Sequence, residues 1–371
     1  KRGPLFTPTR SSKNLRVNRR ESGKALFGDQ HGCPIIAQLA CLTFSQNEKI
    51  SMKLSQHRIL TTHVGSLPRS EEVFKLVFAK EAGEKIDMNH YDQVIADAVQ
   101  SVVRKQTDVG VDVVSDGEQS KISYATYIKH RLNGFDGDSP RRTPKDLEEY
   151  PAFSKRASSS GGVPTFSRPQ CVGPISVKDL KPLEAGLVIQ IDSPDLALGR
   201  HVLFKDQSDE EFVSMAELHI EALNHALQNI PAEQLRLHVC WGNYQGPHHC
   251  DIEMKKILPA VLKAKPMALS FEGANPRHSH EWSVFRDAKI PENKVLIPGV
   301  LDSTTNFVEH PELVAERICR FADIVGRERV IAGSDCGFST FAGFGTVDAD
   351  ITYAKLGSLV RGAEIASERL W

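Results

Sequence analysis

Eight apolar stretches of strand character recur along this chain: ILTTHVGS (59–66), VDVVSDGE (111–118), PQCVGPISV (169–177), LVIQID (187–192), LRLHVCWG (235–242), PMALSFEG (266–273), VLIPGVLD (295–302) and RVIAGSDCG (329–337). Short runs of Val, Ile and Leu without strict alternation are the mark of strands covered on both faces. Helical patterns follow most of them, and a helix between strands returns the chain for parallel pairing. SDEEFVSMAELHIEALNHALQNI opens on Ser208 as a cap with acids behind it. It then repeats Phe212, Met215, Leu218, Ile220, Leu223 and Ala226 at roughly helical spacing. PELVAERICRFADIVG begins with Pro311 and ends at Gly326, the asymmetry of a single helix. A further helix is expected over about 88–109. Eight such alternations predict an α/β protein, one (β/α)8 TIM barrel spanning 52–371. The stretch of about 134–169, with DGDSPRRTPKDLEEYP and KRASSSGGVP, breaks the pattern. It is expected as an irregular insertion after strand two, hanging over the mouth or disordered.

Lys and Arg number 46 against 47 Asp and Glu, so no electrostatic argument favours nucleic acid or an anionic membrane as partner. The longest apolar run, 33–44, is about half of a membrane span. Seven scattered Cys form no framework and point to a reducing, cytoplasmic setting. Residues 1–51 differ from the rest: KRGPLFTPTRSSKNLRVNRRESGK is basic and Ser-rich, and the first Met is Met52. This segment reads either as an organelle leader or as an extension ahead of a start at Met52. Both readings leave it outside the fold as a disordered extension.

In a parallel barrel the strand C-termini converge on one mouth. Here those ends carry Gly65 and Ser66, Asp116 and Glu118, Asp192, His238 and Cys240, Glu272, Asp302, and Asp335 and Cys336. His238 and Cys240 are two apart, so on a strand both point the same way. With Glu272 and Cys336 they make one imidazole, two thiolates and one carboxylate, a donor set for Zn2+. Taken singly, each fits a bland reading: a core His, inert buried Cys, an unrelated Glu. A closed structural zinc is a second alternative, although such sites usually use close-spaced pairs on a small module. The set at strand ends points to an open metal site. His248, His249 and Cys250 in GPHHC, and His278 and His280 in NPRHSHEW, are expected near the mouth but outside the metal shell. Asp116 and Glu118 read equally well as acid/base groups or as charged loop caps.

These motifs resemble the cobalamin-independent methionine synthase family, in its C-terminal catalytic barrel, over nearly all of 52–371. HVCWGNYQGPHH and SFEGANPRHSHEW look closest to its short single-barrel relatives, within the superfamily shared with uroporphyrinogen decarboxylases. The resemblance implies that His238, Cys240, Glu272 and Cys336 hold Zn2+. TTHVGSLPR matches the family's opening strand and places Ser66 at the substrate thiol. VSDGEQ assigns Glu118 to the substrate amine, and IQIDSP brings Asp192 to the substrate pocket. Asp302 and Asp335 are weaker catalytic candidates. The implied reaction is methyl transfer to a small thiol such as homocysteine, from a small-molecule or carrier-bound donor. Three departures matter. The full-length synthase has two barrels and the resemblance covers one, so a methylfolate donor is not implied. Ser193 stands where the synthase has Glu, and Thr304 where it has a proton-donating His. Two other functions therefore stand beside the first: an epoxide-opening thiol alkyltransferase of the coenzyme M type, and a non-catalytic barrel with structural zinc.

Overall fold

In chain order the strands are β1 (Leu60–Thr61), β2 (Leu132–Asp136), β3 (Gln170–Val177), β4 (Ile189–Ser193), β5 (Leu235–Val239), β6 (Ala268–Phe271), β7 (Val295–Leu301) and β8 (Ile331–Ser334). They come from a computed structural model that describes residues 52–123, 126, 128–139, 142–159, 169–177, 187–340, 342 and 345–371. Residues 1–51, read above as a leader or extension, lie outside the described residues. The larger helices are α1 (Glu71–Glu81), α2 (Met88–Asp108), α3 (Lys145–Glu149), α4 (Pro151–Ser159), α5 (Asp209–Ala226), α6 (Met254–Val261), α7 (Trp282–Asp287), α8 (Pro311–Val325) and α9 (Ala349–Leu370).

Six strands form one sheet in the order β1-β8-β7-β6-β5-β4, and every pair is parallel. The 111–118 run joins beyond β1 through a single parallel bridge, Thr62 to Val113. Laid flat, β1 and β4 would stand roughly 24 Å apart, five strand spacings. Instead Gln190 Nε2 on β4 donates to the Val64 carbonyl just after β1, at 2.6 Å. Arg236 on β5 likewise reaches Thr62 Oγ1 (3.1 Å) and the His63 carbonyl (3.0 Å). The sheet is therefore rolled in the sense that the expected barrel requires, with polar spokes crossing its interior, while no pairing among the described residues joins the 111–118 run to β4. Its lower end is closed by Met52 and Leu54, which pack with Leu60, Val188, Met267, Ala268, Val295, Ile297 and Ile331.

The local signals account for the helices. Ser208 Oγ accepts from Glu211 N (3.1 Å) while Glu211 Oε2 accepts from Ser208 N (2.8 Å), a reciprocal cap on α5 worth about 1 kcal/mol. Helix α8 starts at Pro311 and stops before Gly326. Between helices and sheet, Phe271 stacks on Phe285 at 4.3 Å, and Phe321 meets both edge-on. Among the described residues no helix is long and apolar enough to cross a membrane.

One expected barrel strand is not one. The 169–177 run forms β3, which pairs antiparallel with β2 in a separate two-stranded ribbon at the two ends of the insertion. Gly173-Pro174 is one part of the physical reason. Proline lacks a ladder donor and weakens a strand paired on both sides, but β7 carries Pro298-Gly299 in the middle of the sheet, so the proline alone does not decide it. The apolar residues of β3 are also not buried: Val172 is 59% and Ile175 57% exposed. Its partner needs Gly134, at φ 86°, because a Cβ there would lie 2.5 Å from the Pro174 carbonyl.

Candidate metal centre

Strand β5 alternates its side chains, so Val239 enters the wall while His238 and Cys240 face inward. Cys336 follows β8, three strands away, which is roughly 14 Å in a flat sheet. The roll brings Cys240 Sγ and Cys336 Sγ to 3.9 Å. Ligand atoms of His238, Cys240 and Cys336 all lie within 4.8 Å of one another, and all three residues are buried. Tetrahedral zinc with ordinary Zn–N and Zn–S bonds separates its ligands by about 3.3–3.8 Å. Ser270 Oγ on β6 sits 3.3 Å from His238 Nδ1, leaving Nε2 for the cluster. That Nε2 is buried with no hydrogen-bond partner among the described residues. An unsatisfied buried polar atom costs about 1–3 kcal/mol, and a cation would satisfy it. Gly242 N also donates toward Cys240 Sγ at 3.4 Å. The residues present fit a thiophilic divalent ion.

Glu272 lies beside this triangle rather than in it. Its Oε1 accepts from Trp241 N (2.9 Å), next to Cys240, and its Oε2 from Asn275 Nδ2 (2.8 Å). Asp335 braces the same loop. Its carboxylate accepts from the backbone N–H groups of Gly273, Ala274 and Asn275, each at 2.8 Å. The Cys336 loop has its own ties: Cys336 N donates to Ser303 Oγ (3.1 Å), which donates to Asn243 Oδ1 (3.0 Å). Asn243 Nδ2 in turn reaches the Gly337 carbonyl and Thr340 Oγ1. Asp302 is occupied by its own loop, accepting from Thr304 N and Oγ1 (2.8 Å each) and Thr305 Oγ1 (2.7 Å). Sequence reading missed Ser270, Ser303, Asn243 and Asn275. The only signal was an Asn three residues after each of Cys240 and Glu272.

Glu272, Asp192 and Asp335 are harder to ionise than in water. Burial pushes Glu272 and Asp192 up to about 7, Asp192 further because Glu118 and Asp195 are near. Burial also raises Asp335 to about 6, against the pull of its backbone donors. The Cys240 thiol is well above its usual range, through its hydrogen bond with Cys336 and then through burial. For Cys336 the bond to Cys240 works downward, but burial and the Asp192 and Glu272 charges outweigh it. Burial, with Arg236 nearby, holds His238 down at about 3, so its ring is neutral. The pocket is short of positive charge, and a bound dication would reverse the thiol and carboxyl shifts.

The three residues assigned to substrate lie at the same mouth. Val64 packs directly on Cys240 and Cys336. Ser66 is buried against the Cys336 loop: its Oγ accepts from Ser339 N (3.3 Å), and a Cβ on Gly337 would fall 2.0 Å from that oxygen. Glu118 takes a left-handed backbone, φ 55°, unusual without glycine and frequent at functional sites. Its Oε1 stands 3.4 Å from where a Gly65 Cβ would lie and 3.8 Å from Lys121 Nζ. Asp116 caps that turn, accepting from Glu118 N at 2.9 Å. Asp192 faces His238 in the β4–β5 register, and its Oδ1 is buried without a partner among the described residues. His248 and His278 belong to a buried network around Asp251, at 2.8 and 3.0 Å, behind the Trp241 ring.

Residues 59–140 and 172–356 match the family model described as the cobalamin-independent synthase catalytic domain, with a gap over most of the insertion. A methionine synthase of Saccharolobus solfataricus is 26% identical over 355 residues, 84% of this chain and 95% of that protein. One from Thermococcus kodakarensis is 24% identical, covering 84% of this chain and 94% of its own. A solved B12-independent methionine synthase from a Shewanella species, in complex with selenomethionine, has a TM-score of 0.52 at 17% identity. The likeness spans 84% of this chain and 99% of that one, and it is a likeness of fold.

Proposed function

The chain belongs to the cobalamin-independent synthase catalytic-domain family, and from that premise we propose that it methylates the sulfur of a small thiol, homocysteine first among them. The observation that carries this reading is the His238–Cys240–Cys336 triangle opening beside Ser66, Glu118 and Asp192. His238, Cys240 and Cys336, with Glu272 at the rim, would hold zinc, which when bound keeps a substrate sulfur as thiolate near neutral pH. Lowering a thiol pKa by about two units is worth roughly 3 kcal/mol.

The chain's own residues do the rest. Ser270 orients the His238 ring, and the backbone donor of Gly242 supports the Cys240 sulfur. Glu272, held beside the triangle by Trp241 N and Asn275, would offer a bound ion a carboxylate. Glu118 and Asp192 offer carboxylates to a substrate ammonium, whose charge would offset the burial that now raises Asp192. Ser66 bounds the sulfur end of the pocket. In the reaction a sulfur–carbon bond forms as the donor–carbon bond breaks, and the thiol proton passes to solvent. The electron pair of the broken bond leaves with the donor: a cobalamin leaving group needs no proton, whereas a methylfolate nitrogen would take one from solvent. That suits a mouth where Thr304 Oγ1 already donates to Asp302 at 2.8 Å. Epoxide opening would need a proton donor there.

The test is a product assay with zinc-loaded protein, homocysteine and a panel of methyl donors including methylcobalamin and methylfolates. Methionine is the expected product. Absence of any thioether across a broad panel of thiols and donors would overturn the reading, and thioether from epoxides alone would favour the alkyltransferase.

A further inference from the structure

We propose that Glu149, His249 and Cys250 form a second metal site, for a thiophilic divalent cation of the zinc class, tying the insertion to the loop that leaves β5. One carboxylate, one imidazole and one thiol bring their ligand atoms within 4.8 Å of one another. His249 Nε2 lies 2.6 Å from Glu149 Oε2, and Cys250 Sγ lies 3.9 Å from Glu149 Oε1. A mixed S/N/O set selects borderline-soft ions over magnesium or calcium. With three protein donors and solvent at hand, a fourth position would be taken by water. The Glu149 and His249 side chains are 47% and 38% exposed, so an ion can reach them.

The donors are delivered by packed structure. Helix α3 carries both Asp146 and Glu149. Asp146 is fully buried and accepts from Tyr244 OH (2.7 Å) and His248 N (2.9 Å), which clamps α3 to the 240–251 loop. Glu149 therefore arrives beside His249 on a fixed helix. The Tyr150 ring stands edge-on to the His249 ring at 5.6 Å, and Arg277 NH2 reaches the His249 carbonyl at 3.4 Å. Burial and the Glu149 and Asp146 charges raise the Cys250 thiol, a local field that a cation would relieve. Glu149 lies within 141–171, the part that the family match leaves out. The site thus depends on this chain's own insertion, and an ion there would fasten that insertion beside the mouth.

The experiment uses the full chain, stripped of metal and titrated with Zn2+ by equilibrium dialysis, then with Co2+ by visible absorption. Two classes of site are expected, the weaker one carrying a single sulfur-to-cobalt charge-transfer band. Cys250→Ser, His249→Asn and Glu149→Gln should each weaken that class at least about ten-fold, as loss of a donor does, and leave the tighter class unchanged. A Cys240→Ala/Cys336→Ala double variant should keep the weaker class, which separates this site from the proposed function. A protein binding one equivalent that depends on Cys250 would support this site and refute the other. A single equivalent indifferent to Cys250→Ser, or a second one equally indifferent, would overturn the proposal.

Discussion

His63 shows how one buried side chain sets a pH dependence. Its Nε2 meets Gln106 of α2 at 2.8 Å between helix and sheet, and burial holds its pKa down at about 4. Above the unfolded value of about 6.5 both states are neutral and nothing changes. As pH falls from there towards 4, the unfolded chain takes up a proton that the native chain refuses. Stability then declines by up to about 1.4 kcal/mol per pH unit, roughly 3 kcal/mol in all. His63→Gln should flatten this part of the curve, measured by urea unfolding between pH 7.5 and 4.5; parallel curves for the two proteins would refute it. The proposed metal ligands make a second prediction. Cys240→Ala and Cys336→Ala should each abolish tight zinc binding or activity, because water replaces a thiolate poorly. Cys319→Ala, on α8, and Cys250→Ala should keep the tight equivalent. Glu272→Gln keeps the shape but removes a charge, so weaker metal retention and a larger loss of rate are expected. Metal content after gel filtration checks the series. Full zinc in Cys336→Ala with loss of the tight equivalent in Cys250→Ala would move the primary site to the 240–250 loop.

At the scale of elements, the loops after β6 and β8 hold one another. Asp335→Ala would strip the acceptor from three backbone N–H groups, those of Gly273, Ala274 and Asn275. At about 1–3 kcal/mol for each donor left buried, relieved partly by relaxation, a loss of roughly 3–5 kcal/mol is expected. The same change releases the loop carrying Glu272, so zinc retention should fall with the melting temperature. A variant that lost neither would show that this brace is dispensable. The β2–β3 ribbon teaches a different lesson. An apolar run of strand length was present, yet its antiparallel pairing and the exposed Val172 and Ile175 mark it as an outer ribbon, not a barrel stave.

For the whole molecule the question is whether the fold would need the proposed zinc. The ligands sit at strand ends, while the core around Phe271, Phe285 and Phe321 is packed without them. Chelation at neutral pH should therefore remove zinc and activity but leave the circular dichroism and a cooperative melt. Unfolding on chelation would instead identify a structural zinc.

Strand period two was enough to put His238 and Cys240 on one face, and helix caps were enough to place α5 and α8, because these patterns are written between near neighbours. The barrel was legible for the same reason: each buried strand advertises itself by its own composition. The meeting of Cys240 with Cys336 was decided only by the roll of the sheet across three strands. So was the division of labour among the strand-end acids. In sequence Glu272, Asp302 and Asp335 look alike, each closing an apolar run. In the fold Glu272 borders the thiols, while Asp302 and Asp335 accept hydrogen bonds from loops. Asp302 is held by its own Thr304 and Thr305, a local pattern, but the role of Asp335 depends on where the loop after β6 turns its backbone N–H groups, and no local periodicity encodes the path of another loop.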